Sequence, residues 1–222
     1  NLPSYDKGLL PVHYGLSPDN YYVIFWSGAA GSIYRWIRDV FYRDAKVANL
    51  FAVMDEEASA IPPGCDGLML MPYLSGMQYP VANENASGEF LGARLYHTRG
   101  HFTRSALEAV AFLLRQSIEE INRYGITPEC IYSLGGGAQS PVWNQIKADV
   151  TGLRVLPLEE KECASRGAAI LAAVGAGLYK NFADVKPAPH SGVSYLPQRS
   201  AEYHNVYANF SKRVDLLQSL LE

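Results

Sequence analysis

Residues Cys130–Ile146 read CIYSLGGGAQSPVWNQI, a short apolar run that breaks into three glycines and restarts as a helix. Cys130–Leu134 has the composition of a buried strand. Ser140 followed by Pro141 is a helix start, because Ser accepts from the free N–H groups of the first turn and Pro needs no donor there. Gly135, Gly136 and Gly137 allow positive φ and leave no Cβ to hold a ligand away. A strand, a glycine turn and a helix N-terminus together suit a phosphate, or the sugar and base of a nucleotide, with N–H groups and the helix dipole facing an anion. A tight βα turn with no ligand is the competing reading.

Composition narrows the classes. The chain has 222 residues, enough for one main domain with an excursion. Nineteen Lys and Arg against 22 Asp and Glu leave a net charge of −3, with no basic run, so nonspecific nucleic-acid or polybasic membrane binding has no electrostatic support. Cys65, Cys130 and Cys163 form no CxxC or CxxH pair, which suits a reducing cytoplasm and offers no zinc motif. No apolar stretch reaches the roughly 18 residues of a membrane span. The first residues lack the pattern of a signal peptide and an initiator Met, so the chain looks cut from something longer.

Downstream of the turn, Pro141–Thr151 is expected as a helix stopped by Gly152, Leu153–Leu158 as a strand, and Cys163–Ala176 as a helix of small residues able to lie close to a sheet or to bound nucleotide. Lys180–Pro197 is a linker, and Ser200–Leu221 an amphipathic helix with Tyr203, Val206, Tyr207, Phe210, Val214 and Leu217 on its buried side. Upstream, Thr98–Tyr124 is a long helix with Thr98 as N-cap. His101, one turn in, has no second His or Cys at i+4 and reads as a hydrogen-bonded structural histidine.

Ser75–Gly92 is the longest loop-like stretch, and Gly67–Leu74 a strand with Met69 and Met71 as core filler. Ala45–Ile61 reads as a helix with Asp55, Glu56 and Glu57 on a solvated face. Asn1–Asn20 is irregular or edge strand, Tyr21–Trp26 a strand, and Ile33–Arg43 a helix entered through SGAAGS, which lacks the Lys-Ser/Thr of a phosphate loop and suits a close-packed entry. This alternation predicts an α/β domain with helices on both faces of a sheet, with ligands beyond the carboxyl ends of the strands.

Two families fit the turn. GGGAQS meets G-x-G-x-x-G/A at two of its three marked positions, and Glu159 or Glu160 follows about 20 residues on, where a dinucleotide fold places its ribose-binding acid. More of the chain resembles the FGGY carbohydrate kinases. Gly88–Glu108, GEFLGARLYHTRGHFTRSALE, is similar to their second signature, with Ala93 in place of a branched aliphatic residue. Pro72–Gly76, PYLSG, GGGAQSPVWNQIKADVTG and CASRGAAILAAVGAG resemble further family segments, in register from about Tyr21 to Tyr179. Met77-Gln78-Tyr79 stands where the family usually has Glu-Arg-Thr/Ser, and Ala109 where Gly is common.

The resemblance implies the sugar-kinase branch of the actin and heat-shock ATPase (ribonuclease H-like) fold, a mixed sheet with helices on both faces. Residues 1–222 would then form the C-terminal nucleotide-binding domain, with an excursion near 62–97 and a terminal helix over 200–221. It implies ATP with Mg2+, transfer of the γ-phosphate to a hydroxyl of a sugar such as xylulose, and a catalytic base in an N-terminal lobe. This chain would hold no catalytic residue. Gly136, Gly137 and Ala138 would pack their backbone on adenosine and the α-phosphate, with Gly135 shaping the turn. Gln139 would reach the purine, and Ser140 and Asn144 would offer polar contacts, a purely structural role being the other reading of both, capping in the case of Ser140. His101 and Glu108 would orient helix and loop, and Asp149 would be a surface or packing acid. A homodimer is left open, as are a free-standing nucleotide-sensing domain of this fold and an NAD-dependent oxidoreductase.

Overall fold

The computed structural model describes residues 12–16, 20–25, 27, 30–78, 82–160, 162–187 and 191–221. The expectations for residues 1–11, Trp26 and Tyr79 lie outside them. In chain order the elements are β1 Val12–Tyr14, β2 Tyr21–Val23, α1 Gly31–Phe41, α2 Leu50–Ser59, β3 Met69–Met71, β4 Glu89–Leu91 and α3 Arg99–Arg123. There follow β5 Cys130–Ser133, α4 Pro141–Thr151, β6 Arg154–Pro157, α5 Cys163–Gly175 and α6 Ser200–Leu221.

The strands pair among the described residues as three two-stranded ladders. β1 with β2 and β3 with β4 are antiparallel, whereas β5 with β6 is parallel, the pairing that the α4 crossover requires. The stretch Ser75–Gly92, expected as loop, supplies β4. Its Glu89 pairs with Met71, and a bridge between Met77 and Asn83 folds the excursion back. Asparagines and glycines hid this pairing because they shape its turns, and β4 itself offers only Phe90 and Leu91 to the core.

α3 is the spine. Its apolar stripe follows the helical period, and it packs on α1, α2, α4 and β3. Ile37, Met54, Leu70, Leu107, Phe112, Trp143, Tyr203 and Phe210 meet in one core. Tyr203, Tyr207, Phe210 and Val214 of α6 are buried as the periodicity predicts, with Val206 and Leu217 packed at the edge. α5 departs from expectation, since none of its residues is buried. Small side chains bury too little area to hold a helix on the core.

The signature helix grips a left-handed turn. Gly64, Cys65, Asp66 and Gly67 all have positive φ, between 51° and 92°, which is strained backbone for Cys65 and Asp66. Glu108 accepts from the Gly64 N–H at 3.2 Å and from the Cys65 thiol at 3.4 Å. His101 Nε2 lies 3.2 Å from Asp66 Oδ2, while its Nδ1 accepts from the Thr98 N–H at 3.0 Å. Glu108 also holds Arg104 and the Tyr203 hydroxyl, each at 2.8 Å, so one fully buried carboxylate joins α3, α6 and the turn. Gly92 is needed beside it, because its φ is +76° and any Cβ would collide with the Gly67 carbonyl oxygen.

Candidate functional site

The sequence places a strand end, a glycine turn and a capped helix in succession, and the fold brings α1 and α2 against them. Gly135 takes φ 73° and ψ −163°, a conformation that requires glycine, and turns the chain out of β5. One short 3₁₀ turn, Gly136–Gln139, leads to Ser140, whose Oγ accepts from the Trp143 N–H at 3.1 Å and caps α4, with Pro141 at its first position. A cleft of about 680 Å3 opens in front of this turn. Its facing wall comes from Gly31, Tyr34 and Arg35 of α1 and from Phe51 and Asp55 of α2.

The expected site residues divide into two groups. Gly136, Gly137, Gln139 and Ser140 line the cleft. A Cβ on Gly136 would meet open space, whereas one on Gly137 would stand 2.9 Å from the Trp143 ring. Gly135, Ala138 and Asn144 lie behind the lining. Asn144 is 0% exposed and donates from Nδ2 to the Ala138 carbonyl at 2.8 Å, so its work is to tie the turn to α4. Its Oδ1 accepts from Lys147 Nζ at 3.3 Å, and Lys147 also donates to Ser133 Oγ at 2.9 Å. Burial pushes the Lys147 ammonium down to about 8.

Asp55 corrects the sequence reading most. Placed on a solvated face by its neighbours, it is half-buried in the cleft. Its Oδ1 accepts from the Tyr34 hydroxyl at 2.6 Å and from Ser140 Oγ at 2.9 Å. Desolvation raises its carboxyl above the usual range, opposed by these two hydrogen bonds. Glu57 is also engaged, by Arg99 and the Tyr42 hydroxyl, leaving Glu56 as the exposed acid of the three. α2 buries Met54 and Ala58, and because α1, α3 and α4 surround it, the residues flanking that stripe meet neighbours too. Asp149 likewise is buried. Its Oδ1 accepts from the Gln198 and Arg199 N–H groups at 2.6 and 3.0 Å and so anchors the approach to α6.

Sequence reasoning also missed Gly31 and Arg35. At Gly31 the first turn of α1 is open instead of close-packed, since a Cβ there meets nothing within 4 Å among the described residues. Arg35 is exposed, with no hydrogen bond or ion pair among the described residues, and is the one cationic side chain in the lining. The available signal was the uncapped Gly-Ser start of a helix carrying Arg one turn in. The wall itself is aromatic, with Tyr34 5.1 Å from Phe51 and 5.6 Å from Trp143 between ring centroids. Glu159 and Glu160, the acids of the dinucleotide reading, do not line the cleft.

Comparison with known proteins gives the family. Residues 6–176 match the model of the FGGY family of carbohydrate kinases, C-terminal domain. The xylulose kinase of Staphylococcus epidermidis (strain RP62A) is 31% identical over 209 residues, 94% of this chain and 41% of that protein. The xylulose kinase of Bacillus subtilis is 34% identical over 164 residues, 74% of this chain and 32% of that one. The chain therefore spans about two fifths or less of the length of these relatives. The crystal structure of xylulose kinase from Rhodospirillum rubrum superposes with a TM-score of 0.82 at 31% identity, covering 96% of this chain and 43% of that one. Solved relatives at lower identity, including Plasmodium falciparum glycerol kinase at 18% and a TM-score of 0.71, share the fold. With the family model matched over most of its length and a relative 31% identical across 94% of it, the chain belongs to the FGGY family of carbohydrate kinases, as its C-terminal domain.

Proposed function

We propose that this chain is the ATP-binding half of a sugar kinase, and that the 680 Å3 cleft at the glycine turn is where the nucleotide lies. The observation that carries this reading is the open space at Gly136, opposite Gly31 and Arg35. Backbone can approach a ligand closely on one side, and the exposed Arg35 guanidinium, which makes no hydrogen bond or close ion pair among the described residues, stands for the phosphates on the other. The tied-down Asn144 and Ala138 hold the turn in that shape before any ligand arrives, which lowers the ordering cost of binding.

The γ-phosphate would pass to a hydroxyl of a sugar such as xylulose, the named substrate of several relatives. The base that takes the hydroxyl proton and most sugar contacts would come from an N-terminal lobe, and closure of the two lobes would exclude water. Among the described residues no three His, Cys, Asp or Glu side chains converge on a metal position. Mg2+ would accordingly arrive on the phosphate oxygens and neutralise the phosphate chain. On this reading, residues 1–222 are one nucleotide-binding domain, with the 62–97 excursion and the 200–221 helix as its additions. A cytoplasmic location fits three cysteines that are all free.

Calorimetric titration with MgATP tests the site. Gly136→Asp sets a carboxylate in open cleft space without touching the Trp143 ring, which Gly137→Asp would strike. Loss of MgATP binding by at least about tenfold in a variant that melts like the wild type supports the assignment. Undiminished binding in Gly136→Asp, or tighter binding of NADH than of ATP, overturns it.

A further inference from the structure

We infer that Asp55 recognises the nucleotide's base by accepting an N–H from the amino group on C6 of the purine. This rests on the reading of the cleft as an adenine-nucleotide site and adds a residue that sets base specificity. Asp55 is a half-buried carboxylate with no Lys or Arg ion pair among the described residues, in a cleft read as holding a polyanion. A phosphate against it would be repelled, so the uncharged end of the nucleotide must lie on this side and the phosphates toward Gly31 and Arg35.

The wall around it is that of a base pocket. Phe51, Tyr34 and Trp143 form a run of rings in which Tyr34 and Trp143 are buried and Phe51, 36% exposed with the Arg38 guanidinium 5.2 Å from its centroid, is the ring a purine can reach. A purine stacked there places its edge beside the carboxylate, where a ribose hydroxyl would leave the rings unused. Oδ1 already takes two donors, from Tyr34 and Ser140, and Oδ2 accepts from no described residue. One oxygen is thus left for one N–H. That suits a 6-amino purine and forbids the two-oxygen grip by which a carboxylate would hold the N1–H and amino edge of guanine. Ser140 gains a second task here, since its hydroxyl holds Asp55 in register while capping α4.

Titration of the chain with MgATP, MgITP and the magnesium complex of purine riboside triphosphate separates the alternatives. The three bases carry an amine, a carbonyl and a hydrogen at C6. The wild type is expected to bind ATP at least about tenfold more tightly than the purine riboside triphosphate, the value of one hydrogen bond to a charged acceptor, and more tightly than ITP, whose C6 carbonyl faces the carboxylate. Asp55→Asn, whose amide presents N–H as well as C=O, is expected to lose that preference and bind ITP at least as well as ATP. A purely structural Asp55 would weaken all three together and keep the ratio, which overturns the proposal. Equal wild-type affinity for all three overturns it without the variant, while leaving the cleft reading intact. No binding of any of the three removes the cleft reading and Asp55 with it.

Discussion

Replacing Glu108 tests whether the acid of the signature helix acts through the fold. It is 2% exposed and receives the Arg104 guanidinium, the Tyr203 hydroxyl, the Gly64 N–H and the Cys65 thiol. Burial pushes its carboxyl up and Arg104 pulls it down, so the pair stands on geometry and not on Coulomb attraction alone. Glu108→Met strands a 5%-exposed Arg104 and three further donors, the Gly64 N–H, the Tyr203 hydroxyl and the Cys65 thiol. A broken buried pair costs about 3–5 kcal/mol, so the variant should lose about that much unfolding free energy. In an Arg104→Met background no charge is stranded, and the same substitution should cost about 2 kcal/mol less. Glu108→Gln keeps an acceptor for Tyr203 and Gly64 and should fall between wild type and Glu108→Met. Guanidinium unfolding of the four proteins of the cycle reads these values from midpoints at constant slope. A Glu108→Met cost under about 1 kcal/mol, or an equal cost in both backgrounds, would refute the account of Glu108 as the clasp between α3, α6 and the left-handed turn.

Two other outcomes follow from single positions. The folded-state pKa of Lys147, about 8, lies below the ordinary 10.5, so the unfolded chain holds its proton longer; stability should therefore rise between those two values, and a Lys147→Met variant followed by thermal melts should lack that rise. If the wild type and variant melt in parallel across that window, Lys147 is solvated. Gly92→Ala sets a methyl against the Gly67 carbonyl at φ +76° and should destabilise by at least about 2 kcal/mol, with an unchanged melting curve counting against the close approach.

The resemblance that reached the family was carried by short segments whose residues act locally. Gly135 must take positive φ, Ser140 must cap and Gly152 must stop α4, and each does so for reasons contained within a few neighbours. The periodicity of α3 and α6 was legible because a core-facing stripe repeats at the helical period whatever it meets. The hairpin of β3 and β4 was not, since an edge strand three residues long carries too little pattern to stand out from its loop.

What the sequence alone determined is therefore the order of the helices, the turn that leaves β5, and the family. Tertiary structure decided which side of that turn is a cleft and what faces it. Asp55 reaches Ser140 across 85 positions of chain, and Gly31 and Arg35 arrive from further still, so no local signal distinguishes them from solvated residues of their own helices. It also tied Asn144, which the sequence left between ligand contact and support, to the Ala138 carbonyl, because whether an amide at the start of a helix faces a ligand or the backbone behind it depends on packing. Chain propensities act over a few residues, whereas a site is a convergence of distant ones, fixed when the core of α1, α2, α3 and α4 closes.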